Sequence, residues 1–133
     1  MELSVRDGIQ VVSAGSGIFR DNLGEFRKIA DKLKRDGALR VVVDFEQGFV
    51  AEEAHGILLS LWKNLRERNG ELLFTGVSTE LLKTLDLTRI NRVIGIVRDL
   101  ETACDFLKTG KSALPDQEIN GPLNKVENTK EGK

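Results

Sequence analysis

Short apolar, β-branched runs alternate along this chain with stretches in which apolar residues recur every three or four positions, a pattern of strands interleaved with helices. Leu3 to Arg6 and Ile9 to Ser13 flank Asp7-Gly8, a dipeptide suited to the positive φ angles of a two-residue turn, so the chain is predicted to open on an antiparallel hairpin. After the small residues Ala14-Gly15-Ser16-Gly17, Asp21 is placed to cap a helix carrying Leu23, Phe26, Ile29, Ala30 and Leu33 on one stripe and ending near Gly37. The nearly continuous apolar run from Leu39 to Phe45 predicts a strand covered on both faces. A second helix, from about Glu52 to Arg68, turns Ala54, Ile57, Leu58, Leu61 and Leu65 one way and closes at Asn69-Gly70. Glu71 to Val77 and Arg92 to Arg98 read as two further buried strands. Between them Ser78 caps a helix with Leu81, Leu82 and Leu85, and a last helix from Asp99 buries Leu100, Ala103, Cys104 and Leu107.

Strands joined through helices must run parallel, so the predicted fold is α/β. It is a mixed sheet of about four to five strands with an N-terminal hairpin, parallel central strands and about four helices. The functional surface is expected where strand ends meet helix starts, because backbone N–H groups and helix dipoles converge there. The periodic pattern stops after Lys108. Residues 110–133 hold both prolines, lack Phe and Trp, and balance four lysines against four acids, so they are read as a mobile tail behind one domain over residues 1–109.

Composition mostly removes possibilities. With 133 residues, 40% of them apolar, the chain suits a single domain. Twenty Lys and Arg against 21 Asp and Glu leave a net charge of −1, which provides no field toward nucleic acid or an acidic membrane. No run approaches about 18 uninterrupted apolar residues, so direct membrane insertion is not expected. The lone Cys104 excludes an internal disulfide and a cysteine zinc site and fits a reducing compartment, so a cytoplasmic location is predicted. His55, the only histidine, excludes multi-histidine metal centres, and nothing calls for a cofactor.

Three constellations bear on chemistry. Gly15-Ser16-Gly17 lies between a strand and a helix, as in a dinucleotide fold, but the third glycine is replaced by Arg20 and the preceding strand is already hairpin-paired, so it reads as a loop tip. Glu52 and His55 share a helix face at the Glu-x-x-His spacing of carboxylate-bridged metal bundles, yet a second such pair cannot exist with one histidine. Ser60, Ser78 and Cys104 read as helix-face, cap and core positions, no nucleophile elbow is present, and Glu52 and Glu53 diverge by about 100° on a helix. No catalytic or metal-binding residue is therefore assigned, and the chain is not expected to be an enzyme.

Val41-Val-Val-Asp-Phe45, the acidic helix start that follows, Asn69-Gly70, Leu73-Phe-Thr-Gly-Val-Ser78 and Leu81-Leu-Lys-Thr-Leu85 together resemble the STAS family, the sulfate transporter and anti-sigma factor antagonist domains. The resemblance spans roughly Val5 to Lys108. It implies a partner-switching protein that binds an anti-sigma factor, often a histidine-kinase-like Ser/Thr kinase, and so releases a sigma factor. Typical antagonists open the helix with Asp-Ser-Ser-Gly, the first Ser being phosphorylated. Laid on this chain without gaps, those positions are Glu52, Glu53, Ala54 and His55, and Phe49 to Leu59 contains no Ser or Thr. Glu53 thus stands where the phosphoacceptor is expected, either as a fixed negative charge resembling the phosphorylated state or simply as a stabiliser of the helix start. The resemblance implies a partner surface around Glu52, Glu53, Ala54, His55 and Gly56, with Phe49, Val50 and Ile57 as apolar contacts. Two other classes remain: an accessory subunit of a membrane lipid-transport or stress-signalling complex, and a small-ligand sensor for a nucleotide.

Overall fold

Along the chain run β1 (Glu2–Arg6), β2 (Ile9–Ser13), β3 (Gly17–Ile18), α1 (Leu23–Arg35), β4 (Arg40–Asp44), β5 (Phe49–Val50), α2 (Ala54–Glu67), β6 (Glu71–Thr75), α3 (Thr79–Leu87), β7 (Gly95–Ile96) and α4 (Leu100–Thr109). This computed structural model describes residues 1–15 and 17–109; Ser16 and the tail read from composition over 110–133 lie outside the described residues. The hairpin forms as predicted, with Asp7 and Gly8 at φ of 55° and 80° and Leu3 paired to Val12 across it.

β1, β2, β4, β6 and β7 form one sheet in that spatial order. Only β1 runs antiparallel to its neighbour; β2–β4, β4–β6 and β6–β7 are parallel, as crossovers through helices require. Successive residues of a strand point to opposite faces, and the three valines of β4 show both destinations. Val41 and Val43 enter the larger core, with Phe26, Ala30 and Leu33 of α1, Leu58, Leu61 and Leu65 of α2, and Leu81 and Leu85 of α3. Val42 points the other way, joining Ile9, Val11 and Leu73 under Ala103, Cys104, Phe106 and Leu107 of α4. Burial on both faces explains why this strand reads as an unbroken apolar run, each fully buried valine contributing about 1.5–3 kcal/mol.

Two helices stop by the same device. After α1, Gly37 and Ala38 donate their N–H groups to Lys34 and Leu33 carbonyls; after α2, Asn69 and Gly70 donate to Arg66 and Leu65. In each case the residue after the cap takes a positive φ, 71° at Gly37 and 62° at Asn69, and satisfies carbonyls that the helix leaves open.

The structure corrects the sequence reading at several ends. Asp21 is not the cap of α1: it is exposed inside a 3₁₀ turn over Arg20–Asn22. Asn22 organises this turn, accepting from the Phe19 N–H through Oδ1 (2.7 Å) and donating through Nδ2 to the Gly17 carbonyl (3.0 Å). An amide can do both, whereas a carboxylate can only accept. α2 begins at Ala54, leaving Glu53 at its cap and Glu52 in the preceding turn. The predicted strand from Arg92 to Arg98 shrinks to Gly95–Ile96, because Ile90–Arg92 wind into a 3₁₀ turn after Arg89 (φ 65°) and Ile90 is buried instead. β3 and β5, which pair with each other away from the main sheet, were not predicted.

Candidate functional site

The parallel strands deliver their C-terminal ends to one side of the molecule, and the loop between β4 and β5 there is tightly wound. Glu46 and Gln47 both adopt positive φ, 52° and 62°, conformations that cost non-glycine residues about 1–3 kcal/mol each. Four hydrogen bonds hold them. The Glu46 N–H donates to Asp44 Oδ1 (2.9 Å), the Gln47 N–H to the Gly76 carbonyl (2.7 Å) and the Gly48 N–H to the Phe45 carbonyl (2.8 Å). The Gly15 N–H donates to Glu46 Oε1 (2.7 Å). The loop then presents β5, which pairs with β3 so that Gly17 faces Phe49 and Ile18 faces Val50.

The pairing brings Phe19 onto Phe49 as a stacked pair, 5.4 Å between centroids and 17° between planes. Gly17 makes this possible: at φ 141°, a Cβ would lie 2.8 Å from the Phe49 carbonyl and 3.0 Å from the Phe19 ring. Both rings face solvent, Phe19 at 38% and Phe49 at 60% of full exposure. A shallow cleft of about 80 Å³ separates Phe49 and Val50 from Ser78, Leu81 and Thr84, which run from the cap of α3 past its middle.

Beside the aromatic pair, Glu53 Oε2 meets Arg20 Nε at 2.6 Å, with both side chains substantially exposed. The Glu53 carboxyl is held below the ordinary carboxylate range, first by its own backbone N–H and then by the Arg20 guanidinium. Its charge therefore has a cation beside it. Of the other residues singled out in the sequence, Glu52 and Gly56 are exposed, whereas Val50, Ala54, His55 and Ile57 are 8% exposed or less. These four form the floor beneath the surface. Phe19 and Arg20 were not anticipated from sequence. An isolated Phe-Arg following a glycine-rich loop was the available hint, but their partners Phe49 and Glu53 are set by the β3–β5 pairing.

His55 is buried with Nε2 lacking a hydrogen-bond partner among the described residues. Burial pushes its pKa below the ordinary imidazole value, with Glu52 pulling weakly the other way. Among the described residues no three His, Cys, Asp or Glu side chains gather as a metal site would need. The hydroxyls noted in the sequence are committed: Ser60 Oγ accepts from Lys34 Nζ (2.6 Å) and Ser78 Oγ from the Leu81 N–H (3.1 Å). Cys104 is buried, which raises its thiol pKa. The glycine-rich loop spends its Gly15 amide on Glu46 and leads into β3 rather than into a helix. No helix among the described residues is long and apolar enough to cross a membrane. The arrangement therefore offers an exposed aromatic and ionic surface at a helix start.

No curated protein matches the chain. Solved structures do. The crystal structure of a candidate anti-sigma factor antagonist from Thermotoga maritima superimposes with a TM-score of 0.73 at 14% identity, over 80% of this chain and 93% of that one. An anti-sigma-factor antagonist (STAS) domain protein from Planctomyces limnophilus gives a TM-score of 0.67 at 18% identity, over 77% of this chain and 92% of that one. At such identities these show the shared fold: a mixed sheet entered by an antiparallel hairpin and flanked by four helices. The STAS domain family model matches residues 1–103, the stretch from the first strand into α4, and on that match the chain belongs to the STAS domain family.

Proposed function

We propose that this chain is a non-enzymatic protein-binding module of bacterial partner-switching signalling, acting as an anti-sigma factor antagonist. Its docking face consists of Phe19, Phe49, Glu52, Glu53 and Gly56. The observation that carries this reading is the exposed Phe19–Phe49 stack beside the α2 start, since solvent-facing aromatic anchors are what protein interfaces bury. The partner is a histidine-kinase-like anti-sigma factor, and the setting is cytoplasmic. Residues 49–59 offer no Ser or Thr hydroxyl for phosphorylation. Glu53, paired to Arg20, stabilises the start of α2 and orders Arg20 beside the rings, rather than presenting the unbalanced charge of a phosphate.

Capture from the source cells with the wild-type chain and with Phe49→Ser as baits tests this. A histidine-kinase-like anti-sigma factor should be retained by the wild type, and the purified pair should bind at least tenfold more weakly with Phe49→Ser, as loss of a central aromatic anchor implies. A permease or transporter ATPase in its place would assign the chain to the accessory-subunit class. Equal affinity of both baits would remove the docking face from Phe49.

A further inference from the structure

The two edges of the sheet are treated differently. β7 contributes only two residues, which leaves little free edge. β1 contributes five, carries no proline, and keeps an unbroken register with β2 from Glu2 to Arg6. Edge strands are ordinarily shielded by shortness, proline, a bulge or a central charge, and β1 has none of these. At its centre Leu3 is half-buried, Ser4 is exposed and Val5 is 64% exposed.

The hairpin determines which backbone groups this edge presents. In a two-residue turn Arg6 and Ile9 exchange backbone hydrogen bonds, and alternation along the ladder then directs the N–H and C=O of Ser4 and Glu2 toward β2. Those of Leu3 and Val5 face outward. Two such edges joined antiparallel can pair Leu3 with Val5 of the second copy, and Val5 with its Leu3, forming four backbone hydrogen bonds about a two-fold axis at Ser4. The same register sets Glu2 opposite Arg6 of the second copy, twice. Shifting it by two residues sets one of these charges against Ser4 instead. Neither Glu2 nor Arg6 forms an ion pair within the described residues.

Side chains agree with the backbone. Leu3 and Val5 lie on the α1 side of the strand, where Met1, Leu3 and Ile29 line an open groove of about 590 Å³ rimmed by α1 charges of both signs, from Glu25 to Arg35. In this register the exposed Val5 of each copy comes to lie beside Leu3 of the other, at the mouth of that groove. We propose that two copies of this chain associate through β1, joining their sheets into one continuous ten-stranded sheet about a two-fold axis. This surface shares no residue with the proposed docking face.

Sedimentation velocity of the full chain across a concentration series reads the outcome. The wild type should shift from monomer to dimer with rising concentration. Val5→Pro removes an outward N–H without touching the β1–β2 ladder, so it should remain monomeric at concentrations where the wild type is dimeric, with an unchanged far-ultraviolet circular dichroism spectrum. Glu2→Arg and Arg6→Glu should each weaken dimerisation at least tenfold, and the two together should restore it to within about threefold. A wild-type chain that stays monomeric at about 0.5 mM overturns the proposal. So does a dimer indifferent to Val5→Pro, or a double charge reversal that restores nothing.

Discussion

His55 is the residue whose environment departs furthest from what its type suggests, being a titratable ring set into a helix start and closed off from water. Its folded-state pKa is lowered, chiefly by burial, so the folded protein prefers the neutral ring. As pH falls below about 6.5 the unfolded chain takes up a proton that the folded one resists, and stability must fall with it. The urea midpoint should therefore be lower at about pH 5.5 than at about pH 7.5, and His55→Gln should flatten that difference. Glu53, Asp36 and Asp99, whose values are lowered, lose their contributions only at more acidic pH. Glu71, raised by burial, acts in the opposite sense, but equally in both proteins. A slope identical in wild type and variant would show that the ring titrates normally. The sequence showed His55 as the sole histidine at a helix start; its burial depended on how the chain packs around it.

Elements were legible where a local interaction defines them. Ser78 stands immediately before the Leu81 and Leu85 stripe, and its Oγ accepts the Leu81 N–H as that position predicts. Ser78→Ala should cost about 1 kcal/mol, seen as a lower urea midpoint with unchanged slope, and Ser78→Asp should recover most of the loss. The start of α1 was misread for a reason of the same kind. Asp21 and Asn22 are both capping residue types, but neither side chain caps α1: Asn22 occupies the cap position and turns its amide back to the Phe19 N–H and the Gly17 carbonyl, the latter in β3. β3, β5 and β7 are two residues each, too short to establish a period. Two of these three build the candidate site, and for that reason Phe19 and Arg20 escaped detection while Glu52, Glu53 and Phe49 did not.

At the scale of the molecule, one sheet is shared by two cores: a large one under α1, α2 and α3, and a smaller one under α4. Phe106 belongs to the smaller core although it lies off the predicted stripe of Leu100, Ala103, Cys104 and Leu107, because a helix lying flat on a sheet buries a wider face than a narrow stripe. Phe106→Ala should cost about 3–5 kcal/mol out of a total near 5–15. Since Val42 and Val43 are neighbours serving opposite cores, the loss should appear as an earlier but still single unfolding transition by fluorescence and circular dichroism together; two separated transitions would show that the cores melt independently. The sequence by itself determined the hairpin, the parallel direction of strands joined through helices, and the four main helices. Each follows from periodicity, turn chemistry or spacing that operates over a few neighbouring residues. The tertiary structure alone decided that Phe19 stacks on Phe49, that Arg20 meets Glu53, that Val50, His55 and Ile57 lie beneath the surface, and that no strand among the described residues pairs with the outer edge of β1. Those outcomes depend on which distant segments meet, and the pairings that bring them together are too short to leave a pattern in the chain.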